Sequence, residues 1–407
     1  MRCVFVSDMS PSLGHVYGLR VASLARAMAA RGHAVLILAP APDGATDEID
    51  TVLAERIRGH DWREPLLVER ALKPQTMLSV QRSDATPGAV RRALTAGLIL
   101  TQGGVQGDWV AGARPAYKTI VEELHPEIVW ANFGNLSNLV VGQELAARAR
   151  TPWTIDFKDN FANYVPAGLH AALARRFRKA TALTTNAVLH GDAAARWFGQ
   201  PRDVIYSGVA PDMVAPRDSL PRSDRFLVTL VGSAYGADIL RRFLHSLAEW
   251  VDRGDGSRAR GTLFRYAGAS YADIADAVKE SGLACDTSVT PNVPHGELAT
   301  LCHDAAANCY LWAEFGFHHK ALELMACRRP VIVFPGEHPE TVDLAKRVRG
   351  HLDVCRDEEQ LMNAFDGAYA MWRERRPAAP DLDISGVSWD AGAAQLESIL
   401  SSAVMPA

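Results

Sequence analysis

The stretch WAEFGFHHKALELMACRRPVIVFPG, residues 312–336, decides the reading of this chain. It predicts a polar cluster, a short helix opening near His318 or His319 and ending near Cys327, and then a strand. Lys320 and Glu323 are three apart and share one face near the helix start. Leu322, Met325 and Ala326 can face a core. Arg328 and Arg329 close the helix, and Pro330 cannot continue it. Residues 331–334, VIVF, then read as a buried parallel strand. Free N–H groups and a lysine at a helix start suit phosphate, and a glutamate can accept hydrogen bonds from a sugar or ribose diol. The same residues also fit a solvated helix start with an ordinary i,i+3 pair.

Outward from this block, the totals set bounds. A chain of 407 residues is long enough for two domains with full cores. Apolar residues are 48% and charged residues 22%, as in soluble globular proteins, and the formal net charge of -4 argues against a nucleic-acid partner. The six cysteines show no CxxC or metal-ligand spacing and read as small hydrophobes in a reducing, cytoplasmic setting. No signal peptide and no membrane-spanning apolar run is expected. A peripheral membrane contact stays open.

Taken in order, residues 3–6 predict a buried strand, followed by a loop containing Gly14, a helix to about residue 30 and a second strand at 34–39. GxGxxG is absent, so this is no dinucleotide fingerprint. Residues 43–118 are the least regular. A long helical excursion with a mobile loop is expected there, helical around 91–100 and loosened afterwards by Gly103, Gly104 and Gly107. Strands follow at 127–130 and 152–155. The second delivers Asp156, Lys158 and Asp159 to a strand end, where parallel sheets bind ligands. An ion pair that merely shapes the loop is the competing reading. A basic helix with Arg175, Arg176, Arg178 and Lys179, a strand at 181–185, a helix capped by Asn186 and a strand at 204–206 complete this half. A linker with Pro211, Pro216 and Pro221 leads to a second series, with strands at 226–231, 263–267, 286–290 and 308–312 before the opening block. Gly232 and Ser233 occupy the first strand-end loop of that series. The fold class is therefore α/β, with two Rossmann-like domains. They are expected to face each other across a cleft, with residues 1–210 on the acceptor side and 222–385 on the donor side. A last helix at 386–403 is expected to return to the first domain.

Several blocks resemble one family. LARAMAARGHAV near the start, WTIDFKDNF at 153–161, VIYSGV at 204–209, LVGSAYG at 230–236 and HKALELMACRRPVIVFP at 319–335 are similar to segments of glycosyltransferase family 4, which has the GT-B fold. The likeness runs over nearly the whole chain and is strongest at 312–336. It implies a retaining, nucleotide-sugar-dependent transfer to a hydroxyl acceptor, hexosyltransferase-like, with no metal or other cofactor. By the same resemblance Glu323 holds the nucleotide ribose and Lys320 lies near the donor. Gly14, Gly232 and Ser233 approach the donor phosphates, and Asp156 stands beside donor sugar and acceptor. Asp156 would position these groups rather than act as a nucleophile.

Two features depart from the family pattern. The family spaces its two glutamates with seven residues between them, whereas here eight separate Glu314 from Glu323. Phe317, His318 or backbone groups are candidates to replace Glu314. The loop after Gly232 also lacks the expected Arg and Lys, and Arg241 and Arg242 come later, within a helix. These departures keep two rivals in view: a catalytically silent partner subunit that binds nucleotide or glycan, and a nucleotide-sugar epimerase.

Overall fold

A computed structural model describes residues 1–13, 16–42, 49–83, 85–166, 168–254, 256–313 and 316–405, with residues 16 and 17 as backbone. Gly14 and Glu314 lie outside the described residues. The chain divides into unit 1, Met1–Gly208 with Val387–Ala407, and unit 2, Val209–Gly386.

Unit 1 is built on seven strands: β1 (Arg2–Val6), β2 (Ala34–Pro40), β3 (Leu66–Arg70), β4 (Ile128–Phe133), β5 (Trp153–Phe157), β6 (Leu183–Thr185) and β7 (Arg202–Val204). They form one parallel sheet in the order β3-β2-β1-β4-β5-β6-β7. Cys3 pairs with Val35 on one side and Ile128 on the other. The central strands are buried on both faces, which is why they read as unbroken apolar runs. One face packs Val4, Leu36, Val129 and Ile155 under the helices of residues 50–59 and 107–149. The other packs Phe5, Ile37 and Trp130 under two helices, Val16–Ala30 and the last helix, Trp389–Val404.

Unit 2 has six parallel strands: β8 (Phe226–Val231), β9 (Thr262–Ala267), β10 (Asp286–Thr290), β11 (Ala307–Trp312), β12 (Val331–Pro335) and β13 (Leu352–Val354), ordered β10-β9-β8-β11-β12-β13. Its core joins Phe226, Trp250, Phe264, Ile332 and Phe365. The helix expected near residues 318–327 spans Lys320–Ala326. Arg328 ends it in the left-handed region at φ 56° and donates to the carbonyls of Ala215, Ala379, Pro380 and Leu382.

The structure corrects several expectations. The described residues of 43–118 contain four helices and the start of a fifth, in keeping with the expected helical excursion, but also β3, which was not expected. β3, LLVER, alternates buried and half-buried residues at the sheet edge, so it lacks the apolar run that marks its neighbours. Gly103 does not loosen the chain: it caps the helix Gly88–Gln102 at φ 81°. Gly104 lies so close to Ser137 that a Cβ would meet its Oγ at 2.4 Å, so both glycines permit close packing. Asn186 is not a helix cap; its Oδ1 lies 2.6 Å from His190 Nδ1, and the helix Val188–Ala195 begins after Ala187. The strand expected at 204–206 lies two residues earlier, as β7, and shares only Val204 with it.

Leu396 is fully buried among Val21, Leu24 and Trp130 of unit 1. Leu396→Ala should destabilise unit 1 by about 2–5 kcal/mol, the usual cost of a large core truncation. Urea unfolding checks this, and a loss well under 1 kcal/mol would mean that the last helix is not part of that core.

Candidate functional site

In unit 2 the sequence-predicted residues gather where β8 and β11 end. β8 delivers Gly232, whose backbone is left-handed at φ 88°. The lysine that opens the helix Lys320–Ala326 fills the space a side chain would take there: a Cβ on Gly232 would lie 1.5 Å from Lys320 Nζ. Nζ donates to the Val231 carbonyl at 3.3 Å. Burial pulls the Lys320 ammonium down to about 8, against the opposing influence of Glu323. A cation so placed can donate to an anion at the strand end, in a setting where charge is weakly screened. The loop is fixed from below. Tyr266 Oη donates to the Gly232 carbonyl at 2.6 Å, and Ser270 Oγ accepts from the Ala234 amide at 3.2 Å. Ser233 itself is exposed.

Glu323, one helical turn from Lys320, is mostly buried, with 15% of its side chain exposed. Its Oε1 faces two imidazoles, His319 Nε2 at 3.6 Å and His295 Nε2 at 3.7 Å. Burial alone would raise its pKa, but the two imidazoles override this and hold the carboxyl well below the usual range. His295 comes from the first turn of the helix His295–Asp304, and its Nδ1 lies 2.9 Å from Asp212 Oδ2. His295 and Asp212 carry no sequence signal that would assign them to this site. Neither belongs to a motif, and only the fold brings residues 212, 295 and 323 together.

Beside this group, His318 stacks on Tyr310, with ring centroids 5.4 Å apart, and lies 4.3 Å from Trp312. Burial first, and then Lys320 and His319, push His318 well below its ordinary pKa, so this imidazole is neutral. Tyr310 Oη donates to Glu337, a carboxyl that burial raises to about 7. Arg241 and Arg242 are engaged elsewhere. Arg241 faces Asp238 at 3.7 Å, and Arg242 pairs with Glu358 at 2.6 Å.

Unit 1 places Asp156 differently from the sequence expectation. It lies on β5 with no exposed surface. Arg20 grips it with two parallel bonds, Nε to Oδ2 at 2.9 Å and Nη2 to Oδ1 at 2.7 Å. Asn132 donates to Oδ2 at 2.6 Å and Thr184 to Oδ1 at 2.7 Å. Arg20 also donates to the Ile205 carbonyl at 2.8 Å and to Ser207 Oγ at 3.3 Å. The carboxylate thus ties together β4, β5, β6 and the segment after β7, and none of its surface faces solvent.

Other polar groups at these strand ends are buried or half-buried. Lys158 Nζ lies 3.4 Å from Asp8 Oδ1, and Asn135 donates to Asp8 Oδ2 at 3.3 Å. Gly134 lets Asp8 approach, since a Cβ there would lie 1.8 Å from Asp8 Oδ2. Asp159 has a buried Oδ2 without a hydrogen-bond partner among the described residues, and burial raises its pKa to about 6. Burial lowers Lys158. Among the described residues no three His, Cys, Asp or Glu side chains converge as a metal would require, and no described helix is long and apolar enough to cross a membrane.

No protein-family model matches the sequence, and no curated protein matches it. Solved structures do match over the full length. Anabaena HepE, in complex with UDP-glucose, is 16% identical with a TM-score of 0.62, covering 98% of this chain and 99% of that one. The UDP-forming α,α-trehalose-phosphate synthase of Burkholderia xenovorans, in complex with glucose-6-phosphate, is 12% identical with a TM-score of 0.68, covering 98% and 100%. A protein described as a UDP-N-acetylglucosamine 2-epimerase from Listeria monocytogenes is 10% identical with a TM-score of 0.60, covering 98% and 95%. At these identities the likeness carries the fold: two Rossmann-like units of the GT-B architecture.

Proposed function

We propose that this chain is a retaining glycosyltransferase that moves a sugar from a nucleoside-diphosphate sugar to a hydroxyl acceptor. The observation that carries the reading is the seating of Lys320 in the space left by Gly232, one helical turn from an ionised Glu323. Lys320 and the loop at Gly232 and Ser233 meet the diphosphate, and Glu323 accepts from the ribose diol. Gly14 is assigned to the donor phosphates by the family resemblance alone. Residues 222–385 form the donor side and residues 1–210 the acceptor side. Membership of glycosyltransferase family 4 and a hexosyl donor belong to the same reading. Six buried free cysteines support a reducing, cytoplasmic setting. The full-length likeness to proteins solved with UDP or UDP-glucose makes UDP the first nucleotide to test.

Retention here follows from same-face attack. The acceptor oxygen bonds to the anomeric carbon as the bond to the diphosphate breaks, and the leaving phosphate takes the acceptor proton. The protein supplies orientation and charge neutralisation, with no metal in the step. Asp156 serves as a positioning residue that fixes the strand ends through Arg20.

Two observations keep the rivals testable. Arg241 and Arg242 pair away from the Gly232 loop, which favours a silent nucleotide-binding subunit. The likeness to the epimerase-type structure favours turnover without acceptor. A thermal-shift screen of nucleotide sugars, followed by an assay of nucleotide release with and without acceptors, separates them. Acceptor-dependent release with a retained anomeric configuration supports transfer. Release without any acceptor supports the epimerase, and binding without release supports the silent subunit.

Gly232→Ala should weaken UDP binding at least about tenfold, because the new methyl group displaces the Lys320 ammonium and a charge-assisted bond is lost. Calorimetry checks this, and unchanged affinity would remove Lys320 from the donor site. Asp156→Ala strands the buried Arg20 and should destabilise unit 1 by about 3–5 kcal/mol. Turnover should fall with UDP affinity unchanged, as read by thermal unfolding, steady-state rates and calorimetry together.

A further inference from the structure

Glu323 does not stand alone. Its Oε1 is the oxygen that faces His295 and His319, as ion pairs at 3.7 and 3.6 Å. His295 is itself anchored, with Nδ1 on Asp212 and Nε2 towards Glu323. Asp212 sits in the short turn Pro211–Met213, on the stretch by which the chain enters unit 2. That turn is held in place, since His303 Nε2 lies 3.0 Å from the Met213 carbonyl and the Ala215 amide donates to the Ala326 carbonyl at 3.0 Å. Asp212, His295 and Glu323 therefore form a bridge of acid, imidazole and acid on three separate elements.

We propose that His295 is a positioning residue for the nucleotide ribose: anchored by Asp212, it fixes one oxygen of Glu323 and leaves the other turned to the ribose hydroxyls. The inference rests on the donor-site reading above and adds residues that no motif marks. Glu323 lies on a helix of only seven residues with several rotatable side-chain bonds, so an unanchored carboxylate would lose rotamer freedom on meeting a diol. The bridge removes that loss before the ligand arrives, which is the usual gain from preorganisation. Charge supports it. The carboxylates of Glu323 and Asp212, working against burial, hold His295 up to about 9, so it is imidazolium at neutral pH, with Nδ1 hydrogen-bonded to Asp212 and Nε2 paired by charge with Glu323 at 3.7 Å. The titratable groups facing it are Asp212 on the entry turn and Glu323 on the helix Lys320–Ala326. His319 and Lys320 stand next to Glu323.

The test compares calorimetric affinities for UDP and 2′-deoxy-UDP in the full chain. Wild type should prefer UDP, and His295→Ala should erase most of that preference, lowering UDP affinity about tenfold while 2′-deoxy-UDP binds as before. Asp212→Asn should give a smaller loss in the same direction, and His295→Gln, which keeps one donor, should restore part of the preference. The double variant Glu323→Ala/His295→Ala should lose no more than Glu323→Ala alone, because the two act as one unit. Equal weakening of both nucleotides in His295→Ala, or an unchanged preference, overturns the inference while leaving Glu323 on the ribose. A preference that survives in Glu323→Ala, or no UDP binding by wild type, overturns the donor-site reading and this inference with it. Thermal unfolding of each variant distinguishes lost positioning from lost folding.

Discussion

The arrangement in unit 2 depends on a lysine ammonium occupying the place of an absent side chain. Lys320 Nζ rests against Val231 and Gly232, and only glycine leaves that room and tolerates the φ of 88°. This single contact fixes where the helix Lys320–Ala326 begins relative to the end of β8. It thereby sets the position of Glu323 and of the imidazoles around it. The loop beneath is clamped independently by Tyr266 and Ser270, so the glycine is held rather than flexible.

The two units solve the problem of buried charge in different ways. In unit 1 the Arg20–Asp156 pair is fully enclosed and every carboxylate lone pair has a donor, the condition under which a buried ion pair is tolerated. In unit 2 the charges are left partly unmet. Burial lowers Lys320, and Glu323 meets its two imidazoles at 3.6 and 3.7 Å, longer than hydrogen bonds. Complete satisfaction marks a structural tie, and incomplete satisfaction marks a place where a ligand has something to supply.

Much of this was legible in the chain itself. Apolar runs such as CVFV at 3–6 and VIVF at 331–334 announce strands covered on both faces, and the i,i+3 spacing of Lys320 and Glu323 puts both on one helix face. β3 escaped because an edge strand with Glu69 and Arg70 has no such run. At the site, residues within one element were readable, whereas the bridge through His295 and Asp212 was not, because it joins elements distant in sequence. Asp156 shows a second limit. A carboxylate at a strand end reads the same in sequence whether it faces solvent or an arginine, and here Arg20 decides the matter.

The chain leaves unit 1 at Gly208 and re-enters it at Val387, and a Cβ on Gly208 would lie 2.4 Å from the Trp389 amide nitrogen. Departure and return are therefore neighbours, and everything between them is a single contiguous guest spliced into a host. A bridge of a few residues across that seam would rejoin the host without disturbing its strand order or its terminal helix. Sites of this kind are where nature exchanges whole modules between proteins.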